Sequence, residues 1–165
     1  WFDDSTCDYR VNPPIRAKAD VEYLIAAIED GDVDAIATDH APHSAEDKAG
    51  GAPGLVGLET AFAVCYTKLC RGRGLPLSTL SRLMSQGPAR ILDLNKGLLA
   101  EGYDGDVVLV DLEQPFTVDP EEFAGKSRNT PFAGLSLYGR VKATVKQGRL
   151  TFSELEPGNG PQQTP

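Results

Sequence analysis

Apolar residues recur at three- and four-residue steps through "DVEYLIAAIEDG", where Val21, Leu24, Ile25 and Ile28 predict one face of a helix. Asp20 stands near its start, and Gly31 suits the left-handed residue that ends it. "VDAIATD" then reads as a short buried strand, so helix, turn and strand follow in the rhythm of a parallel α/β sheet. After a loop over 44–56, "GLETAFAVCYTKLCRG" predicts a second helix with Leu58, Phe62, Cys65 and Leu69 as its stripe and Gly72 past its last turn. "PLSTLSRLMSQG" predicts a third, capped by Ser78 or Thr79, with Leu80, Leu83 and Met84 facing inward; "GPARILDL" adds a short fourth.

From Lys96 the pattern changes. "GDVVLVDL" is an apolar strand, and "GRVKATVKQGRLTF" alternates on both sides of Gln147-Gly148, which reads as a hairpin turn. A mainly β subdomain therefore follows an α/β part, with boundaries at 1–95 and 96–153. The tail over 154–165 has too few apolar residues to fold and is expected to be disordered. At the other end, two prolines deny "VNPPIR" a helix and force an extended path.

The chain has 165 residues, 41% hydrophobic and 24% charged, enough to bury a core. No apolar run approaches the roughly 18 to 20 residues a membrane helix needs, and no signal peptide is visible. A formal charge of -8 argues against nucleic acid, which requires a basic face. Three cysteines without a CxxC predict reduced, partly buried thiols of a cytoplasmic protein; Cys65 and Cys70, five apart on a helix, are expected to point different ways. A first residue of Trp1 rather than Met is read as a start inside a longer protein.

The candidate chemistry is concentrated in "IATDHAPHS". Asp39, His40 and His43 fall within five consecutive positions where the predicted strand ends, and both histidines of the chain are here. In parallel α/β folds ligands sit at the carboxyl ends of strands. A carboxylate there can ligate a metal, serve as a base, or cap the following turn. Two adjacent histidines and a glycine-rich loop that could act as a lid favour chemistry over capping.

"TDHAPHSAEDK", preceded by "VNPPIR" and followed by "GLETAF", resembles dihydroorotase of the bacterial type, in the amidohydrolase superfamily. The likeness continues through "GPARILDLNKG", "GDVVLVDLE" and "SRNTPFAGLSLYGRVKATVKQGRL". It implies an α/β fold, the (β/α)₈ TIM barrel of the metal-dependent hydrolases, with two zinc ions and a small β subdomain built from both chain ends. Such a barrel needs about 250 residues, so residues 1–95 would be its carboxyl-terminal part, two βα units and the following helices. The family's HxH metal motif and carboxylated lysine are missing from this sequence and would lie upstream. The resemblance makes Asp39 both a metal ligand and the catalytic proton shuttle, and makes His43 and Asn12 substrate-binding. Pro53 and Gly54 would touch substrate through their backbone, although the family's "PFG" reads "APG" here. His40 matches no assigned role and is read as structural.

The implied reaction is the reversible cyclisation of N-carbamoyl-L-aspartate to dihydroorotate in pyrimidine synthesis, with a small-molecule substrate and neither nucleic acid nor membrane. A homodimer or an association with aspartate carbamoyltransferase would fit. The chain alone is expected to be inactive. Rival readings are the cyclic amidases allantoinase and dihydropyrimidinase, which commonly place alanine or serine where Asn12 stands. A non-catalytic scaffold of a carbamoyltransferase is the third, and retention of Asp39 and His43 speaks against it. Elsewhere, Glu29, Asp30, Asp32 and Asp34 read as a solvated run, Arg16 as an ion-pair partner, and Asn129 and Thr130 as satisfying backbone groups between the two parts.

Overall fold

The first predicted helix forms as α1, Lys18–Asp30, in the computed structural model, which describes residues 9–155. Asp20 closes its first turn by accepting the Ala17 amide at 3.1 Å. Gly31, at φ 87°, ends it in the left-handed region that glycine enters without penalty. The apolar stripe is only partly covered: Ile25 and Ile28 are half-buried, whereas Leu24 is 56% exposed.

The strand expected over 33–39 has no ladder. A strand exists through its neighbours, and among the described residues the only pairing nearby is a parallel bridge between His40 and Leu55. The segment is held by helices instead. The Ile36 amide donates to the Leu83 carbonyl at 2.9 Å, and Arg82 reaches the Val33 carbonyl at 3.5 Å. Asp34, read as solvated, pairs with Arg90 at 2.8 Å. Arg16 has no ion pair among the described residues.

Within the expected loop 44–56 lies a short helix, α2, Ala45–Ala49. Next come α3, Ala61–Cys65, which widens into a π segment at Tyr66–Arg71, and α4, Leu77–Ser81. A second π segment, Arg82–Gln86, joins α4 to α5, Gly87–Ile91, so the third and fourth predicted helices form one rod. The widening falls just before Pro88, which has no amide to donate to the preceding turn. Neither Ser78 nor Thr79 caps: the cap position is Pro76, two or three residues earlier.

The strands are β1, Val107–Asp111, β2, Phe116–Thr117, β3, Ser136–Leu137, β4, Arg140–Lys146, and β5, Arg149–Ser153. They form an antiparallel sheet in the order β1-β4-β5 and a small β2-β3 pair. Gln147 and Gly148, both at positive φ, make the β4-β5 turn as predicted. Glu154, at the head of the expected tail, is still bonded to Arg140 at 2.8 Å; residues 156–165 lie outside the described residues.

The core crosses the junction between the two parts. Ala63 of α3 packs with Val118 and Leu137, while Tyr66, Leu75 and Leu80 gather Ile28, Ile36 and Tyr138. Leu80, Leu83 and Leu137 are fully buried. Both helix thiols are free. Burial, and then its neighbour Cys70, pushes the Cys65 thiol up to about 11. The π register draws together residues five apart, which corrects the expectation that these cysteines face different ways.

Candidate active site

Asp39 adopts φ 47°, the left-handed region that short polar residues tolerate best outside glycine. This turns the chain out of the 33–39 segment and leaves the Asp39 carboxylate exposed. His40 then faces backward: its Nδ1 accepts the Gly57 amide at 3.0 Å and the Leu58 amide at 3.4 Å. An amide can only donate, so Nδ1 carries no proton. The ring thereby holds 55–58 in place beside the Ala41 to Leu55 hydrogen bond, in keeping with a structural role.

His43 does the reverse. Its Nε2 lies 2.9 Å from the Pro53 carbonyl, which can only accept, so Nε2 bears the proton. Ser44 begins α2 and caps it reciprocally with Asp47: the Asp47 amide donates to the serine hydroxyl at 3.0 Å and that hydroxyl donates back to the carboxylate at 2.7 Å. These Ser44 bonds, hydroxyl first and amide second, hold the Asp47 carboxyl below the usual carboxylate range.

The glycine-rich loop is pinned at Gly54. Its φ of 139° suits glycine alone, and an added Cβ would stand 2.6 Å from the Ala41 Cβ and 3.0 Å from His43 Nε2. The Gly54 amide donates to the Arg10 carbonyl at 2.8 Å, which brings the "VNPPIR" segment alongside. Asn12 is exposed two residues further on. The fold thus gathers His43, Pro53, Gly54 and the segment carrying Asn12. Asp39 makes no hydrogen bond or ion pair to another described residue. A hollow of about 420 Å³ opens beside the two rings, lined by His40, His43, Ser44, Glu59, Lys126 and Ser127; Asp39 and Asn12 are not in its wall. Glu59 closes one side by accepting the Ala124 and Gly125 amides at 2.9 and 3.2 Å.

Two residues hold this arrangement from behind. Lys48 of α2 is 4% exposed and donates to the carbonyls of Ala52 and Gly54, both at 3.0 Å, and to Arg10 at 3.4 Å. Asn129 is 9% exposed and bonds Ala41, His43 and Gly54, as its reading predicted in kind; Thr130 accepts the Phe132 amide at 3.3 Å. Nothing in the sequence pattern marked Lys48, since a lysine in a polar helix ordinarily reads as solvated.

For a metal the inventory is short. Among the described residues no three His, Cys, Asp or Glu side chains converge as ligands must. Asp39 is one candidate ligand, and both histidines commit a ring nitrogen to the backbone. These residues by themselves do not fit a zinc pair.

A family model described as the amidohydrolase family matches residues 11–151. A dihydroorotase of Clostridium botulinum (strain Eklund 17B / Type B) is 55% identical over 147 residues, covering 89% of this chain and 37% of the relative. A dihydroorotase of Lactobacillus leichmannii is 43% identical, over 87% of this chain and 35% of the relative. Among solved structures, the L-hydantoinase (dihydropyrimidinase) from Arthrobacter aurescens superposes with a TM-score of 0.83 at 27% identity, over 92% of this chain and 39% of that one. The chain spans little more than a third of the length of these curated relatives.

Proposed function

The chain belongs to the amidohydrolase family, and from that premise we propose that it is the carboxyl-terminal part of a dihydroorotase. The observation that carries this reading is the convergence on Gly54: one glycine ties the Pro53 carbonyl and His43 to the segment bearing Asn12. Of these groups, the His43 ring and the Asn12 side-chain amide can donate to a small ring carrying a carboxylate. The curated relatives named dihydroorotase support the same substrate class, and the hydantoinase likeness is more distant.

In this reading residues 9–95 close a (β/α)₈ barrel, and the enzyme works in the cytoplasm in pyrimidine synthesis. Asp39 takes a proton from the attacking water as its oxygen adds to the ring amide carbonyl. The carbon–nitrogen bond breaks, and Asp39 returns the proton to the departing nitrogen. Reversal closes N-carbamoyl-L-aspartate into the ring. His43 has Nε2 committed to Pro53, so only Nδ1 is left for substrate. A carboxylate can only accept, so it can meet Nδ1 only where that nitrogen also bears a hydrogen. Asn12 supplies a neutral donor from the opposite segment. No step is assigned to zinc, for which no ligand cluster is found among the described residues.

The test uses the complete protein. Asp39→Asn should lower kcat for dihydroorotate hydrolysis about 10²-fold or more, with bound metal measured alongside. Activity within a few-fold of wild type removes Asp39 from the proton path. Dihydropyrimidine turnover without dihydroorotate turnover would move the reading to the hydantoinases. The chain expressed alone should bind no stoichiometric zinc and show no turnover, because a catalytic zinc normally takes three protein ligands.

A further inference from the structure

The Gly54 carbonyl accepts two buried side chains at once, Lys48 Nζ at 3.0 Å and Asn129 Nδ2 at 3.2 Å. We propose that Lys48 and Asn129 are positioning residues that clamp the 52–54 backbone and so fix the proton-bearing nitrogen of His43. The proposal rests on the dihydroorotase reading for its kinetic consequence, although not for its geometry.

The orientation of Asn129 is forced. Its Oδ1 accepts the His43 amide at 3.2 Å, and its Nδ2 donates to the carbonyls of Ala41, at 3.1 Å, and Gly54. Turning the amide over would set a donor against the His43 N–H and an oxygen against two carbonyls. Its own carbonyl accepts the Val56 amide at 3.1 Å. Each hydrogen-bonding group named here therefore serves the loops at 41–43 and 54–56, from a residue 75 positions away in sequence from Gly54.

Lys48 works from the other side. An ammonium has three hydrogens, and the Ala52, Gly54 and Arg10 carbonyls take them. No carboxylate among the described residues lies within ion-pair distance of it. Burying a cation to bind carbonyls is costly unless its bonds are good, so its place here calls for a reason. The consequence is visible in the loop. With the Ala52 and Gly54 carbonyls drawn toward Lys48, the carbonyl between them, that of Pro53, meets the His43 ring. That contact puts the proton on Nε2 and keeps Nδ1 for the substrate.

The experiment uses the full-length protein with Lys48→Met and Asn129→Asp, and Lys48→Arg as the conservative variant. Nitrogen-15 spectra of the imidazoles, with His43 assigned through His43→Gln, should show a fixed Nε2–H tautomer in wild type. Both disruptive variants should show mixed tautomers, and Lys48→Arg should restore the fixed one. KM for dihydroorotate should rise about tenfold, the scale of leaving a buried partner unpaired, with a smaller rise for a ring lacking the carboxylate. A tautomer unchanged in both Lys48→Met and Asn129→Asp overturns the proposal, whatever happens to thermal stability. If one variant fails to fold, the other decides. Mixed tautomers with equal KM changes for both rings uphold the clamp and overturn instead the reading of His43 as the carboxylate's partner.

Discussion

Two helical regions of this chain carry similar apolar stripes and meet opposite fates. In the rod from α4 to α5, Leu80 and Leu83 are fully buried, Leu80 in a cluster with Tyr66 and Leu75. In α1, Val21 and Leu24 stand 43% and 56% exposed, and no residue of the helix is fully buried. The periodicity is equally clear in both. Amphipathic spacing states which face needs cover, and only packing states what covers it. For the rod the cover is in this chain. For α1 only part of it is found among the described residues, at Ile28, and the 33–39 segment beside it likewise lacks strand partners. A missing remainder of the proposed barrel would explain both.

The sharpest way to break the comparison is to truncate one leucine from each stripe. Leu80→Ala should cost about 2–5 kcal/mol in denaturant unfolding, the range for a buried leucine that leaves a cavity. Leu24→Ala in the chain alone should stay within about 0.5 kcal/mol, as for an exposed site. In the complete protein Leu24→Ala should rise toward the Leu80 range if barrel elements cover α1. A Leu24 effect that stays small there would mean that α1 faces solvent and that the barrel reading of this region is wrong.

Gly87 tests how firmly the two regions are joined. Alanine is the better helix former by about 1 kcal/mol, so local propensity favours Gly87→Ala. Two observations oppose it. A Cβ at Gly87 would collide with the Asp34 backbone carbonyl, which must then shift. Gly87 also holds helical φ and ψ of -60° and -55° just before Pro88, a conformation that a Cβ disfavours. Overpacking of this kind costs about 1–3 kcal/mol, so the variant should be destabilised on balance. A gain in stability would show that the 33–39 segment yields easily.

Much of this was legible in the chain and some was not, for identifiable reasons. The end of α1 at Gly31 and the Gln147-Gly148 turn follow from backbone preferences of single residues, which act locally and so show in sequence. The 33–39 segment forms no ladder because a ladder is a property of two segments, and its partners are not among the described residues. The Pro88 junction was read as a gap between helices, whereas π widening carries the helix through it. In the site, the cluster from Asp39 to His43 was visible as composition. The split between its histidines, His40 serving the 55–58 backbone and His43 the Pro53 carbonyl, depends on which carbonyls and amides the fold brings near. Lys48 was invisible for the same reason: burial, which makes it matter, is tertiary.

The smallest expected effect concerns the side-chain tie between the regions. Arg73, beyond the π segment that follows α3, meets Glu22 of α1 at 2.5 Å, with both side chains 43% exposed. The hydrogen bond from Arg73 is the largest influence on Glu22 and, with the charges of Arg73 and Lys18, holds its carboxyl below the ordinary glutamate range despite some desolvation. Because the folded value is depressed, any stability the pair contributes is present above the unfolded value, about 4.3, and is lost as pH falls through the folded one. An exposed pair contributes little, so the readout should be local: amide exchange in α1 rather than global unfolding. At pH 7 and low salt, Glu22→Gln should exchange faster than wild type along α1 and equally fast in α4. The difference should close in acid, and also in about 1 M salt, where the screening length is roughly 3 Å. Exchange that differs in α1 under all three conditions would assign the tie to packing of the side chains. Equal exchange throughout would mean that α1 is held by Ile25, Ile28 and its backbone connections alone.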